Sequence, residues 1–407
     1  MYVIDYLAEP TCNSRSVQLL TTEYRLLCSG ILYRDVVGDP YKSELSRILL
    51  NEPLVLFALN RPLDQYPLEL AIVLTTPLVE EKLLAGDFES TFSFHPSDEV
   101  VGDLAALLSL LCRRLITVSG KVSEKPANYR HPLFGHESIP MAVSNSFRRI
   151  YWRPHPLMVL YSLDGTKYED YNPQPKAIDP IWLTKMLLQL PQLENASSIV
   201  SASRLYASAL EMIHSRPDIT YQLLISSIET IANSVLSDFQ PDDAAKLKHK
   251  MPVYRLAIDS GVSEETAKKL AIEACKGDYW ATRKFKKFIL DNVGDSIWNV
   301  PDELFHKTKN DVFPKQEDFE DVLGEIYQVR SKATHRGERF PHSSAYTGGP
   351  NIDVRAANQL FNPKTAFPPV IWFERVVNES LRRFWDNCVM QLNTNTATAA
   401  FGTGKST

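Results

Sequence analysis

The stretch 317–337, EDFEDVLGEIYQVRSKATHRG, constrains this chain most, because its apolar residues repeat at the spacing of one helical face. Phe319, Leu323, Ile326 and Ala333 form the stripe, and Val322 and Val329 widen it. Arg330 falls on the same stripe, between Ile326 and Ala333. A guanidinium on an apolar seam is costly unless it finds a partner. Gly337 is well placed to end the helix as a left-handed cap.

His335 follows Arg330 by five residues. Five residues of an ideal helix turn by roughly 140° and rise about 7.5 Å. An unbroken helix therefore does not aim both side chains at one small target. Either the helix loosens before His335, or a second copy of the chain completes the site. Arg stays charged and can grip a phosphate with two parallel hydrogen bonds, while His trades a proton near neutral pH. Together they supply what phosphodiester cleavage needs without a metal.

The segment Arg330–His335, RSKATH, led by Ile326-Tyr327 and followed by a glycine, resembles the R-x4-6-H signature of HEPN domains. The upstream helix Tyr221–Phe239, with its Ser227-Ile228-Glu229-Thr230-Ile231 core, is similar to the second HEPN helix of the Apea-type branch, which is associated with phage defence. The resemblance covers roughly 191–388. It implies an all-α helical bundle that dimerises and cuts RNA in a shared cleft with no cofactor or metal. The 2′-hydroxyl attacks the adjacent phosphorus. His335 serves as general acid or base and Arg330 stabilises the charge on phosphorus. Glu229 would orient one of the two. Ser331, Lys332, Thr334 and Arg336 would meet the substrate. Ser331 stands where many family members carry Asn, Asp or His, so the resemblance assigns that position no catalytic part.

A second, structural reading stays open for each of these residues. Arg330 can bond an acid on a neighbouring helix, His335 can cap the helix C-terminus, and Glu229 can be a solvated helix charge. On that reading the helical part is a non-catalytic module for dimerisation or for binding RNA or nucleotides.

Composition limits the partners. A chain of 407 residues has room for two domains, and its net charge of −5 gives no general attraction to nucleic acid. A local basic face would have to supply it. The stretch Lys246–Lys287 carries eleven Lys and Arg against five acids, with Trp280, Phe285 and Phe288 close by or interleaved. Such a pattern suits a phosphate backbone with stacked bases. It equally suits amphipathic helices with lysines in water and aromatics in the core. The five cysteines are scattered, with no CxxC pair, which predicts reduced thiols and neither a zinc site nor a disulfide framework. No apolar run approaches the ~20 residues that span a bilayer, and no signal sequence opens the chain. The expectation is a cytoplasmic protein with no membrane partner.

The fold class expected is α+β. Residues 1–175 read as a mixed α/β domain with Tyr24–Val37 as a strand pair or a strand followed by a bend, short strands at Leu54–Leu59, Leu68–Leu74, Ile150–Trp152 and Leu157–Tyr161, and a leucine-rich helix at Asp98–Thr117. Cys112 on that helix reads as a structural cysteine, and His131, His136 and His155 as loop histidines. Tyr168–Pro180, with its three prolines, reads as a linker. Residues 190–390 read as the helical domain, and 391–407 as a disordered tail. The tail's Gly402–Thr407 imitates a phosphate-binding loop, but Ala399 stands where that motif needs its first glycine. The expected division of labour is that 1–175 sense or restrain, in response to a phage or host trigger, and 190–390 cut.

Overall fold

Pro217 sets the central hairpin of the helical bundle. The computed structural model describes residues 19–28, 47–51, 54–58, 68–77, 79–85, 88–94, 97–113, 115–126, 180–213, 216–275, 280–298, 314–337, 368 and 370–402. Proline lacks an N–H and has a φ suited to a first helical turn, so it ends one helix and begins another. Helix α3 (Ala196–Met212) stops before it, and helix α4 (Pro217–Val235) starts on it. The two pack side by side through Ile199, Tyr206, Ala209 and Leu210 on one and Tyr221, Leu224, Ile225 and Ile228 on the other, all buried.

Ten α-helices are present among the described residues. Helix α1 (Ser97–Cys112) and helix α2 (Pro180–Gln189) precede the hairpin. Three short helices follow it: α5 (Asp243–His249), α6 (Met251–Asp259) and α7 (Glu264–Glu273). Asp242 and Ser263 cap α5 and α7 by accepting from backbone N–H groups three residues on. Helices α8 (Ala281–Asn292), α9 (Phe319–Arg336) and α10 (Val370–Gly402) close the bundle around α4.

Aromatic residues fill the centre. Tyr221 stacks on Phe373 at 5.3 Å, and its hydroxyl donates to the Pro368 carbonyl. Phe319 meets Trp298 and Trp372 edge to face, at 5.1 and 5.9 Å. Such contacts add about 0.5–1.5 kcal/mol each beyond the area they bury.

The N-terminal strands are β1 (Leu19–Cys28), β2 (Arg47–Asn51), β3 (Leu54–Ala58), β4 (Leu68–Pro77), β5 (Val79–Ala85), β6 (Phe88–Phe94) and β7 (Ile116–Pro126). Five form an antiparallel sheet in the order β2-β3-β4-β1-β7, with Tyr24 opposite Ile72, and β5 and β6 form a separate hairpin. Register shifts between β1 and β7 fall at Glu23/Tyr24 and Arg25/Leu26.

Helix α1 joins the bundle through its packing. One continuous core runs from Val100 on α1 to Val389 on α10. At its heart the fully buried Glu374 accepts from the Tyr206 hydroxyl at 2.5 Å and from Arg113 Nη2 at 2.7 Å and Nε at 3.2 Å. Arg113 stands just past α1 with a left-handed φ of 52°. Asn378 donates to the Leu110 carbonyl at 2.9 Å, and Arg204 on α3 pairs with the buried Asp103.

Several expectations meet a different outcome. Helix α1 ends at Cys112, short of the expected Thr117, because the chain turns at Arg113 and enters β7. Helix α10 runs on to Gly402, so most of the segment read as a disordered tail continues a helix. Leu392 packs on the core and Asn393 accepts from Gln189 Nε2 at 2.8 Å, contacts that anchor the helix past Met390. Strands β2, β5, β6 and β7 were not anticipated. Ile150–Trp152, Leu157–Tyr161, nearly all of the linker and the three histidines at 131, 136 and 155 lie outside the described residues.

Candidate functional site

Helix α9 is unbroken from Phe319 to Arg336 and ends at Gly337 with φ 64° and ψ 17°, the left-handed cap its sequence predicts. Of the two ways of reconciling Arg330 with His335, a loosened helix is therefore absent. Phe319, Val322, Leu323, Ile326 and Tyr327 bury the N-terminal part of the helix. The last turns emerge from the bundle, and Lys332, Thr334, His335 and Arg336 are exposed.

Arg330 sits where the helix leaves the core. Its Nη2 donates to Glu229 Oε2 on α4 at 2.7 Å, a link that joins residues 101 positions apart. Both side chains are largely covered, at 21% and 15% exposure. The cation on the apolar seam has thus found its partner, as the cost of desolvation requires. Among the described residues, Arg330 Nε and Nη1 have no hydrogen-bond partner.

Tyr327 completes the cluster. Its hydroxyl donates to Glu229 Oε1 at 2.6 Å, and the Arg330 guanidinium lies 5.7 Å from the centre of its ring. Phe285 of α8 packs against the ring at 5.2 Å. Burial, followed by the hydrogen bond to Glu229 and the charge of Glu229, raises the Tyr327 hydroxyl above its ordinary pKa, so it remains a donor. Sequence reasoning missed this residue because a tyrosine within an apolar stripe reads as core. Its signal was the i, i+3 spacing to Arg330, which places the two side chains on one face.

The remaining candidates separate around the helix. Relative to Arg330, Thr334 lies about 40° away one turn on, Ser331 about 100° away, and His335 about 140° away. Thr334 therefore shares Arg330's face, and Lys332 and Arg336 point to other sectors. The chain brings Arg330, Glu229 and Tyr327 together and leaves His335 outside that cluster. Among the described residues, His335 has no hydrogen-bond or ionic partner.

The basic stretch Lys246–Lys287 divides among α5 to α8. Phe285 and Phe288 are buried, and Trp280 is nearly so, packed against His249 at 4.8 Å. These rings serve the core, so they do not offer a platform for bases. Several of the lysines are paired: Lys268 with Glu264 at 2.7 Å, Lys269 with Glu265 at 2.8 Å, Lys286 with Glu320 at 2.8 Å and Lys287 with Asp291 at 2.9 Å. Among the described residues, no group of three or more His, Cys, Asp or Glu could hold a metal ion, and no helix is long and apolar enough to cross a membrane. Comparison of the chain with models of protein families, with curated proteins and with solved structures found no match.

Proposed function

We propose that the chain is a metal-independent endoribonuclease of HEPN type acting in antiviral defence. The observation that carries this reading is the state of Arg330. It is held by Glu229 through one nitrogen and keeps other donors unused at the point where α9 leaves the core. A structural salt bridge has no need of that spare capacity, whereas a phosphate receptor does.

In the proposed reaction the ribose 2′-hydroxyl gives up its proton, and its oxygen forms a bond to the adjacent phosphorus. The bond from phosphorus to the 5′-oxygen breaks, and that oxygen takes a proton. The products are a 2′,3′-cyclic phosphate and a 5′-hydroxyl. Arg330 stabilises the negative charge on the five-coordinate phosphorus, and His335 transfers the proton. Because the unbroken helix turns His335 away from Arg330, the imidazole that meets the same phosphate belongs to a second copy. Thr334 and Ser331 contact phosphate oxygens, while Lys332 and Arg336 attract the strand. Residues 1–175 sense a phage or host trigger and restrain the site.

One observation favours a second reading, a non-catalytic dimerisation or RNA-binding module: Arg330 is satisfied in part by Glu229, and His335 lies in the last turn of α9, where a positive charge is favourable. Incubating purified protein with total RNA in EDTA, then sequencing the ends, separates the two. Cyclic-phosphate ends that disappear in Arg330→Ala and His335→Ala support the nuclease. RNA left intact by the wild type, with its trigger absent or supplied from phage-infected cells, sinks it.

A further inference from the structure

Two Glu–Tyr–Arg clusters occur among the described residues, and they use the guanidinium differently. In the core, Arg113 gives both Nε and Nη2 to Glu374, as suits an ion pair whose carboxylate is fully buried. Where α9 leaves the core, Arg330 gives only Nη2 to Glu229, whose other oxygen is occupied by the Tyr327 hydroxyl at 2.6 Å. The Tyr327 ring meanwhile supports the guanidinium from one side and is itself held by Phe285.

We propose that Tyr327 is a positioning residue of the Arg330 site: its hydroxyl anchors Glu229 so that the carboxylate holds one corner of the guanidinium and leaves its remaining donors to a substrate phosphodiester. This rests on the reading that Arg330 meets phosphate. The physical reason lies in the half-buried Oε1 of Glu229. Without the hydroxyl it is an acceptor lacking its donor, which is costly. Nearby unused donors are the other nitrogens of Arg330. The carboxylate then turns to take two of them, as Glu374 does with Arg113, and competes with the phosphate. The raised pKa of Tyr327 keeps the hydroxyl protonated, and the hydrogen bond in place, across neutral pH.

The test is binding of a short fluorescent single-stranded 2′-deoxyoligonucleotide, which has the phosphates of RNA but no attacking hydroxyl, to the full chain. Tyr327→Phe keeps the ring and its packing, and is expected to weaken binding about tenfold. Adding Glu229→Gln in the Tyr327→Phe background is expected to restore most of that loss, because a neutral amide oxygen competes for the guanidinium far more weakly than a carboxylate. A loss of packing alone would not be rescued this way. Binding equal to wild type in Tyr327→Phe, or no recovery in the double variant, overturns the proposal. Binding that does not depend on Arg330, shown by Arg330→Ala, overturns it too. Binding that responds as expected in a protein that never cleaves RNA supports the positioning role and removes only the nuclease reading.

Discussion

Glu229 Oε2 and Arg330 Nη2 meet at 2.7 Å across two helices, and the carboxylate that makes this contact is shared with Tyr327. The charge on the seam of α9 is therefore neither stranded in the core nor fully solvated. It is held at the border, where a ligand can still reach it.

If Arg330 and His335 act on one phosphate, Arg330→Ala and His335→Ala each lower cleavage by about 10²–10⁴-fold. Both side chains lie at or near the surface, so thermal melting should shift by only a few degrees. Mixing the two inactive variants should restore part of the activity, since a mixed dimer regenerates one complete site. Kinetics on a defined RNA, before and after mixing, checks this.

The two Glu–Tyr–Arg clusters should differ in what they contribute to stability. Glu374→Ala removes a fully buried carboxylate and leaves the buried Tyr206 hydroxyl without its acceptor, and is expected to cost about 3 kcal/mol. Glu229→Ala removes partners at the border, where solvent can replace them, and is expected to cost about 1–2 kcal/mol. Urea unfolding midpoints of the two variants should rank in that order.

Gly337 ends α9 at φ 64°, with nothing near its missing side chain. Replacement by Ala meets no steric clash and costs only the left-handed backbone, about 1–2 kcal/mol. If the chain cleaves RNA as proposed, frayed last turns also disperse His335, and kcat falls more than melting temperature suggests. Hydrogen exchange over 331–336 reports the fraying.

Tyr327 has a folded pKa above its unfolded value, chiefly from burial and then from Glu229. The unfolded state therefore loses this proton first as pH rises, and stability present below pH about 10 declines above it. Tyr206, raised well above its ordinary value by burial and then by Glu374, acts in the same direction. Tyr327→Phe should flatten the alkaline loss seen in denaturant titrations.

Burial pushes the Cys388 thiol up to about 11. At pH 8 only roughly one molecule in a thousand then carries the reactive thiolate. Iodoacetamide should modify Cys388 far more slowly than an unfolded cysteine, with labelling rising after denaturation. Mass spectrometry of the labelled peptide measures both rates.

Helix α9 was legible from its residues because its stripe, its charged seam and its terminal glycine all act within a few turns of backbone. The contact of Glu229 with Arg330 was legible only as one of two open readings. Tyr327 was hidden, since an apolar spacing does not say whether a ring's hydroxyl has a partner. The basic stretch gave two equal readings until the burial of Phe285 and Phe288 separated them. The reach of α10 to Gly402 was also hidden, because its polar end owes its order in part to Gln189, 204 residues from Asn393.

Sequence alone determined that the apolar stripe of α9 forms a helix and that Gly337 ends it, because those are local consequences of backbone geometry. It also determined that Arg330 needed a partner. Tertiary structure alone decided which partners Glu229 takes, and that Arg113 and Tyr206 converge on Glu374. Those outcomes depend on how helices distant in sequence are packed, and no spacing along one helix encodes the position of another.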